Sequence, residues 1–315
     1  MTRYVLRRLI GMIPTLLVLL FIVVSLVRLL PGNVADLLLS DGRATAESKA
    51  KLANKLGLDQ SLPEAYLRYT AGVVRGDLGK SLWTDVPVTE MILSRAAITG
   101  EVALIAIAVS IVISIPLGAT SAVRPDGFLD YSLRSMSIAG ISVPNFVVAQ
   151  AIIVLPALWF AKSIPFQYKS FTENPQQHLM VVLPAALVLG LRLSATIARM
   201  MRTTLLDVLQ QDYMRTARAK GLTDFTVIVK HGLKNALIPV VTLLGLQLAA
   251  LIGGSVITES MFALPGIGRL LLDAITRRDY PVIQGVVVSV GVLVMMTNLL
   301  VDLSYGFLDP RIRYS

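Results

Sequence analysis

The charges of this chain are gathered between long stretches that carry almost none. Six such stretches run from Leu9 to Leu30, Val102 to Val123, Met136 to Ala161, Leu179 to Ala198, Ala236 to Ile257 and Val282 to Leu303. A helix rises 1.5 Å per residue, so about 20 apolar residues cross the hydrocarbon of a bilayer. The alternation predicts an all-α polytopic membrane protein with six transmembrane helices. Composition agrees: 55% of the residues are hydrophobic and 16% charged, where a soluble domain carries about 25% charge. A cytosolic enzyme, a disordered scaffold and a collagen-like chain are excluded. The chain has no Cys, which excludes a disulfide framework, a thiolate nucleophile and a Cys-ligated metal.

The first stretch follows Arg3, Arg7 and Arg8, is too long for a signal-peptide core and has no small-residue cleavage site after it, so it is expected to stay as a span. The fourth holds Arg192 among ten Leu, Ile and Val residues. Those ten favour insertion by roughly 3–6 kcal/mol together, against about 2.5–3.5 for a central Arg. The balance places Arg192 toward one interface.

Lys and Arg set the orientation. Arg3, Arg7, Arg8, Arg124, Arg134, seven bases between Arg199 and Lys234, Arg311 and Arg313 fall on one side. Lys162, Lys169, Arg269, Arg277 and Arg278 fall on the other, with a first loop whose eight bases are matched by eight acids. Long loops translocate largely regardless of charge. Both termini and the loop after the fourth span are therefore expected in the cytoplasm, N-in and C-in. The net charge of +9 reflects this asymmetry, and no nucleic-acid partner is implied. Single cysteines at Thr216 and Ala274 are expected to label from opposite faces.

Three loops carry structure. In the first, Thr45 can cap a helix from Ala46 to Leu56 stopped by Gly57, and Pro63 with Ser61 opens a second that ends at Gly76. A plain solvated connector is the alternative. Between Thr258 and Pro281, the turn Leu264-Pro265-Gly266 precedes an amphipathic helix with Ile267, Leu270, Leu271, Ala274 and Ile275 opposite Arg269 and Asp273. Glu259, Pro265, Gly266 and Arg269 are the candidates for the outer mouth. The loop from Arg199 to Asn235 has helix formers from Thr204 to Lys220 and a stop at Gly221. Its length and its bases suit docking of a soluble partner or contact with anionic lipid.

Within the spans, Ala106, Ser110, Ser114, Gly118 and Ala122 recur every four residues, as do Gly245, Ala249 and Gly253. Such spacing lets helix backbones approach closely. Glu101, Asp302 and Arg28 lie at span ends, and no carboxylate or His lies mid-span, which argues against proton or sodium coupling. Ser142 and Asn145 beside Pro144, and Gln247, are the polar candidates for a translocation path, each equally suited to bonding a neighbouring helix. The run Gly76 to Ser81 resembles a phosphate loop, but Val74 occupies the required Gly position. His178 and His231 lie far apart, so no His-based metal site is expected, and each reads as a solvated loop residue.

One set of motifs resembles a known family. The run Asp212-Tyr213-Met214-Arg215-Thr216-Ala217-Arg218-Ala219-Lys220-Gly221-Leu222 and the run His231 to Leu237 are similar to the cytoplasmic loop of binding-protein-dependent ABC importer permeases. The similarity is to the first permease subunit of the dipeptide/oligopeptide/nickel group. Gly57-Leu58-Asp59, Gly76-Asp77-Leu78-Gly79, Leu264 to Arg269, Arg278-Asp279-Tyr280-Pro281 and Leu308-Asp309-Pro310-Arg311 agree with it. In the general importer motif, Ala217, Gly221 and Leu233 match. Arg215, Thr216, His231 and Lys234 stand where Glu, Ala, Ile and Pro are expected. Arg215 and Arg218 would then meet acidic groups on the ATPase.

The resemblance implies a type I ABC importer permease fold in a prokaryotic inner membrane. It divides the chain into residues 1–96, a first helix with its long outer loop; 97–304, a five-helix core with the coupling loop 199–235; and 305–315, a tail. It implies a non-catalytic subunit that binds no cofactor and forms half of a path for di- or oligopeptides. The implied partners are a homologous second permease, two ATPase subunits carrying ATP and Mg, an extracytoplasmic substrate-binding protein and the lipid bilayer. Asp212 to Gly221 would be the coupling segment. A nickel or other small-solute importer, or a secondary transporter, is the alternative.

Overall fold

The structure, a computed structural model, describes residues 2–29, 60–161, 164–165 and 167–308. The expected helix from Ala46 to Leu56, with Thr45, Gly57, Leu58 and Asp59, lies outside the described residues, as do Lys162 and the tail from Asp309. Among the described residues regular structure is helical, with one isolated bridge between Lys80 and Pro87. The elements are α1 (Thr2–Leu29), α2 (Leu62–Val74), α3 (Val88–Val123), α4 (Phe128–Ser142), α5 (Asn145–Phe160), α6 (Pro175–Leu209), α7 (Asp212–Ala219), α8 (Lys234–Gly254), α9 (Val256–Met261), α10 (Ile267–Arg277) and α11 (Tyr280–Leu308). A short turn at Asp224–Thr226 and a π-helical segment, Val227–Leu233, join α7 to α8. Among the described residues five helices are long and apolar enough to cross a membrane, or six if the bent pair α4–α5 is one span.

That pair corrects the expected third span. Met136 to Ala161 is not one helix: the chain bends by 97° between Ser142 and Asn145. Pro144 forces the break, because the residue before a proline is pushed out of the helical region. Val143 is extended at φ −80°, ψ 124°, and Pro144 caps α5. The run from Thr204 to Lys220 is likewise interrupted. α6 continues to Leu209, and Gln211, extended at φ −70°, ψ 149°, starts α7 afresh.

The chain divides into two compact units, Met1–Ala96 with Leu270–Met295, and Ala97–Arg269 with Met296–Ser315. In the first unit, Leu20, Val23 and Val288 form a core with Tyr66, Tyr69 and Val73 packed against it. The Tyr66 hydroxyl donates to the Leu17 carbonyl at 3.2 Å, and its ring meets Phe21 edge-on at 5.8 Å. Ser61 precedes α2 as expected, and its N–H donates to the Glu64 carboxylate at 2.9 Å. That bond holds the Glu64 carboxyl below its usual range. The Gly76–Ser81 run is a turn: Gly76 and Gly79 sit at φ +79° and +86°, and the Gly79 N–H donates to Asp77 at 2.9 Å. Ser81 Oγ then donates to Asp279 at 2.5 Å, and Leu82 N–H to the same carboxylate at 3.1 Å. Two of the motifs read in the sequence thus meet.

In the second unit α6 is the central helix, with Val181, Val182, Ala185, Ala186, Ile197 and Met201 fully buried. The small residues of α3 face it. A Cβ on Gly118 would lie 2.6 Å from the Ala198 carbonyl oxygen, and one on Gly190 would lie 2.8 Å from the Ala106 oxygen. Backbone touches backbone at both places, which is how transmembrane helices gain dispersion energy in a solvent as apolar as they are. Arg192 is exposed midway along α6. His178 corrects a second expectation. It is 2% exposed in the first turns of α6, with Nε2 2.8 Å from Glu101 and Nδ1 3.1 Å from the Lys169 carbonyl. The rings of Tyr168 and Phe171 meet it edge-on at 5.5 and 5.6 Å.

In α10, Ile267, Leu270 and Ala274 are buried as expected, but Ile275 is 52% exposed. Because Ala274 is 4% exposed, the outer labelling position belongs on its exposed neighbour Asp273. Cysteines at Thr216 and Asp273 should react with an impermeant maleimide from opposite faces of sealed vesicles. Labelling of both from the same face would overturn the expected topology. Gly118→Leu should destabilise the fold by about 1–3 kcal/mol, read as a lowered thermal midpoint of the detergent-purified protein, whereas Leu at exposed Gly11, where an added Cβ would meet nothing within 4 Å, should not.

Candidate functional site

The segment between α6 and α8 is built around a short amphipathic helix. α7 buries Met214 and Ala217 and exposes Asp212, Tyr213, Arg215, Thr216, Arg218 and Ala219, and Lys220 just after it is exposed as well. Met214, Ala217 and Val227 form a small core with Val208 and Leu209 from the end of α6. Gly232, in the π-helical segment, completes the seat: an added Cβ would meet Leu205 at 3.2 Å and Met214 at 3.3 Å. The Tyr213 hydroxyl accepts from Asn235 Nδ2 at 3.0 Å, tying α7 to the start of α8.

Gly221 ends the helix at φ +78°. A Cβ there would meet nothing within 4 Å, so the glycine serves the left-handed conformation and not a close approach. The bases are left available. Arg215 reaches Asp212 and Arg218 reaches Asp224 only at 3.5 Å, all four side chains being well exposed. Such pairs contribute little. Leu222, Phe225 and Val229 are also exposed, Phe225 at 76%. The result is a cationic face with apolar side chains beside it, on a helix held from behind.

Glu259, Gly266 and Arg269 come together, through groups the sequence did not suggest. Glu259 is 0% exposed on α9. One carboxylate oxygen accepts from Thr99 Oγ1 at 2.8 Å and Ser255 Oγ at 2.9 Å. The other accepts from the backbone N–H of Arg269 at 3.0 Å. Thr99 in turn accepts from the Ile267 N–H at 2.9 Å. Donors at the start of α10, which have no partner within the helix, are thereby satisfied. Gly266 lets the chain wrap the carboxylate, since a Cβ there would lie 2.4 Å from its carbon. Pro265 is half-buried in the same turn.

The path candidates are not gathered by hydrogen bonds. Ser142 is exposed and Asn145 half-buried at the two sides of the α4–α5 break, and Gln247 is half-buried on α8. A further cluster escaped the sequence reading. Asp130, 0% exposed at the start of α4, binds Arg202 of α6 through both carboxylate oxygens, together with Ser121 and Arg134. Its signal in the sequence is an acid one helical turn before Arg134. Among the described residues no group of His, Cys, Asp and Glu could hold a metal.

Residues 114–314 match the model of the binding-protein-dependent transport system inner membrane component family, and residues 1–103 match that of the membrane component's N-terminal region. The dipeptide transport system permease protein DppB of Escherichia coli is 36% identical over 337 aligned positions, covering 100% of this chain and 99% of that protein. The glutathione transport system permease protein GsiC of Pectobacterium atrosepticum is 38% identical and is matched along 100% of both chains. A chain of the MetNI methionine ABC transporter in an inward-facing conformation superposes with a TM-score of 0.57 at 19% identity, covering 70% of this chain and 96% of that one. A chain of an amino acid ABC transporter gives 0.54 at 15%, covering 70% and 94%. The fold is that of ABC importer permeases, and the chain belongs to the binding-protein-dependent transport system inner membrane component family.

Proposed function

We propose that this chain is the first permease subunit of an ATP-driven peptide importer, with α7 as the segment that receives the motor's displacement. The full-length similarity to permeases named for dipeptide and glutathione transport supports a peptide cargo. The observation that carries the coupling role is α7 itself: a short helix seated on buried Met214 and Ala217, with its basic face turned outward. Two ATPase subunits would hold ATP and Mg, and Arg215 and Arg218 would meet acidic groups on them. A second, homologous permease would supply the other half of the path, and an extracytoplasmic binding protein would deliver the peptide.

The positive-inside distribution puts the N-terminus, α7 and the C-terminus in the cytoplasm. ATP can shift the permease between inward- and outward-facing states only if the ATPase contacts them differently. A rigidly seated helix supplies such a difference, where a loose tether would absorb it. Ser142, Asn145 and Gln247 remain the proposed polar lining of the path, and the Glu259 turn its outer rim. Family membership sets aside the secondary-transporter reading.

The test is uptake of labelled dipeptide by proteoliposomes holding the whole complex and its binding protein, with and without internal ATP. ATP-independent uptake would defeat the proposal. Ala217→Asp places a carboxylate in the seat of Met214 and Val227, and should reduce uptake at least about tenfold by unseating α7. Gly221→Val imposes about 1–2 kcal/mol of left-handed strain without a clash. It should give a smaller loss while membrane insertion stays normal. Wild-type uptake by both variants would remove α7 from the mechanism.

A further inference from the structure

We propose that Asp130 is a positioning residue. It fastens the last turns of α6 to the α3–α4 hairpin, so that displacement of α7 moves the spanning helices and is not lost in bending of α6. The proposal rests on the coupling role given to α7 above.

The Asp130 carboxylate is used to capacity. One oxygen accepts from Ser121 Oγ at 2.5 Å and from Arg202 Nε. The other accepts from the second Arg202 nitrogen at 2.7 Å, from Arg134 at 2.6 Å and from the Asp126 N–H at 3.0 Å. These donors come from the end of α3, the 124–127 turn, α4 and α6. Arg134 also reaches Asp126 at 3.2 Å, so two guanidiniums meet two carboxylates and the cluster is neutral. A buried carboxylate this fully paired fixes its donors, because losing one partner leaves a desolvated charge behind.

Its place along α6 gives the cluster its consequence. Arg202 lies one helical turn before Leu205, which faces Gly232 beside Met214, and Val208 and Leu209 seat α7 in the turn after that. The bidentate fork therefore grips α6 immediately ahead of the point where α7 pushes on it. A long helix gripped there turns as a lever, whereas one left free can hinge at its last turns. Arg202 is the residue of choice for this grip: its planar guanidinium holds two parallel bonds, which a Lys ammonium cannot reproduce.

The test measures ATP hydrolysis and dipeptide uptake on the same proteoliposomes, holding the complete complex with its binding protein, each normalised to assembled complex. Arg202→Lys keeps the charge and loses the fork. It should retain ATP hydrolysis within about twofold and lower the peptide delivered per ATP by about tenfold. Ser121→Ala removes one neutral donor, folds more readily, and should lower the same ratio by about twofold. A purely structural cluster would reduce the yield of complex and leave peptide per ATP unchanged in both variants, and that result overturns the proposal. A wild-type complex that imports without ATP overturns the coupling reading and this proposal together. A wild type that couples, beside variants with an unchanged ratio, overturns this proposal alone.

Discussion

Close approach of α3 to α6 is the constraint on which the second unit depends. In hydrocarbon no hydrophobic force pulls helices together, so association must come from dispersion and from hydrogen bonds between them. At Gly118 and Gly190 an added Cβ would lie within 3 Å of the facing backbone. That proximity sets α6 deep in its unit, with Ser194 and Ala198 buried beside the larger apolar residues. Everything attached to α6 inherits its position: His178 near one end, the Asp130 grip, and the seat of α7 at the other end.

Buried charge is placed at the edges of this packing. Glu259 and Asp130 are both fully buried, and each accepts from near neighbours in sequence and from one distant residue, Thr99 and Arg202 respectively. Their settings differ. Glu259 receives two hydroxyls and a helix-start N–H, which orders a turn. Asp130 receives two guanidiniums, which binds helices to one another. A carboxylate that meets only dipoles can act as a local cap. One that meets fixed cations from another helix couples the motions of both.

Much of this was legible in the sequence, because the governing signals are periodic or local. The apolar stretches, the four-residue spacing of small side chains and the glycine stop at Gly221 are of that kind. Pro144 was equally visible, but hydropathy alone does not separate a kink from a break, so the 97° bend went unread. The π-helical segment has no composition of its own and reads as ordinary helix. The partnerships of His178 with Glu101 and Asp130 with Arg202 join residues 77 and 72 positions apart. Nothing in the spacing of a single chain reports contacts of that range.

The Glu259 turn and the α7 seat, both in the second unit, solve opposite problems. Around Glu259 nearly every polar group faces inward, leaving the turn at Gly266 shaped by its own bonds. Around α7 the helix is held mainly by apolar contacts behind it, and the exposed Arg215 and Arg218 spend little on Asp212 and Asp224 at 3.5 Å. A surface whose charges were already paired would have to break those pairs to dock. One whose rigidity comes from buried Met214 and Ala217 can keep its shape while offering its cations to a partner. That separation of a buried seat from an exposed cationic face is what the coupling role proposed for α7 requires of one short helix.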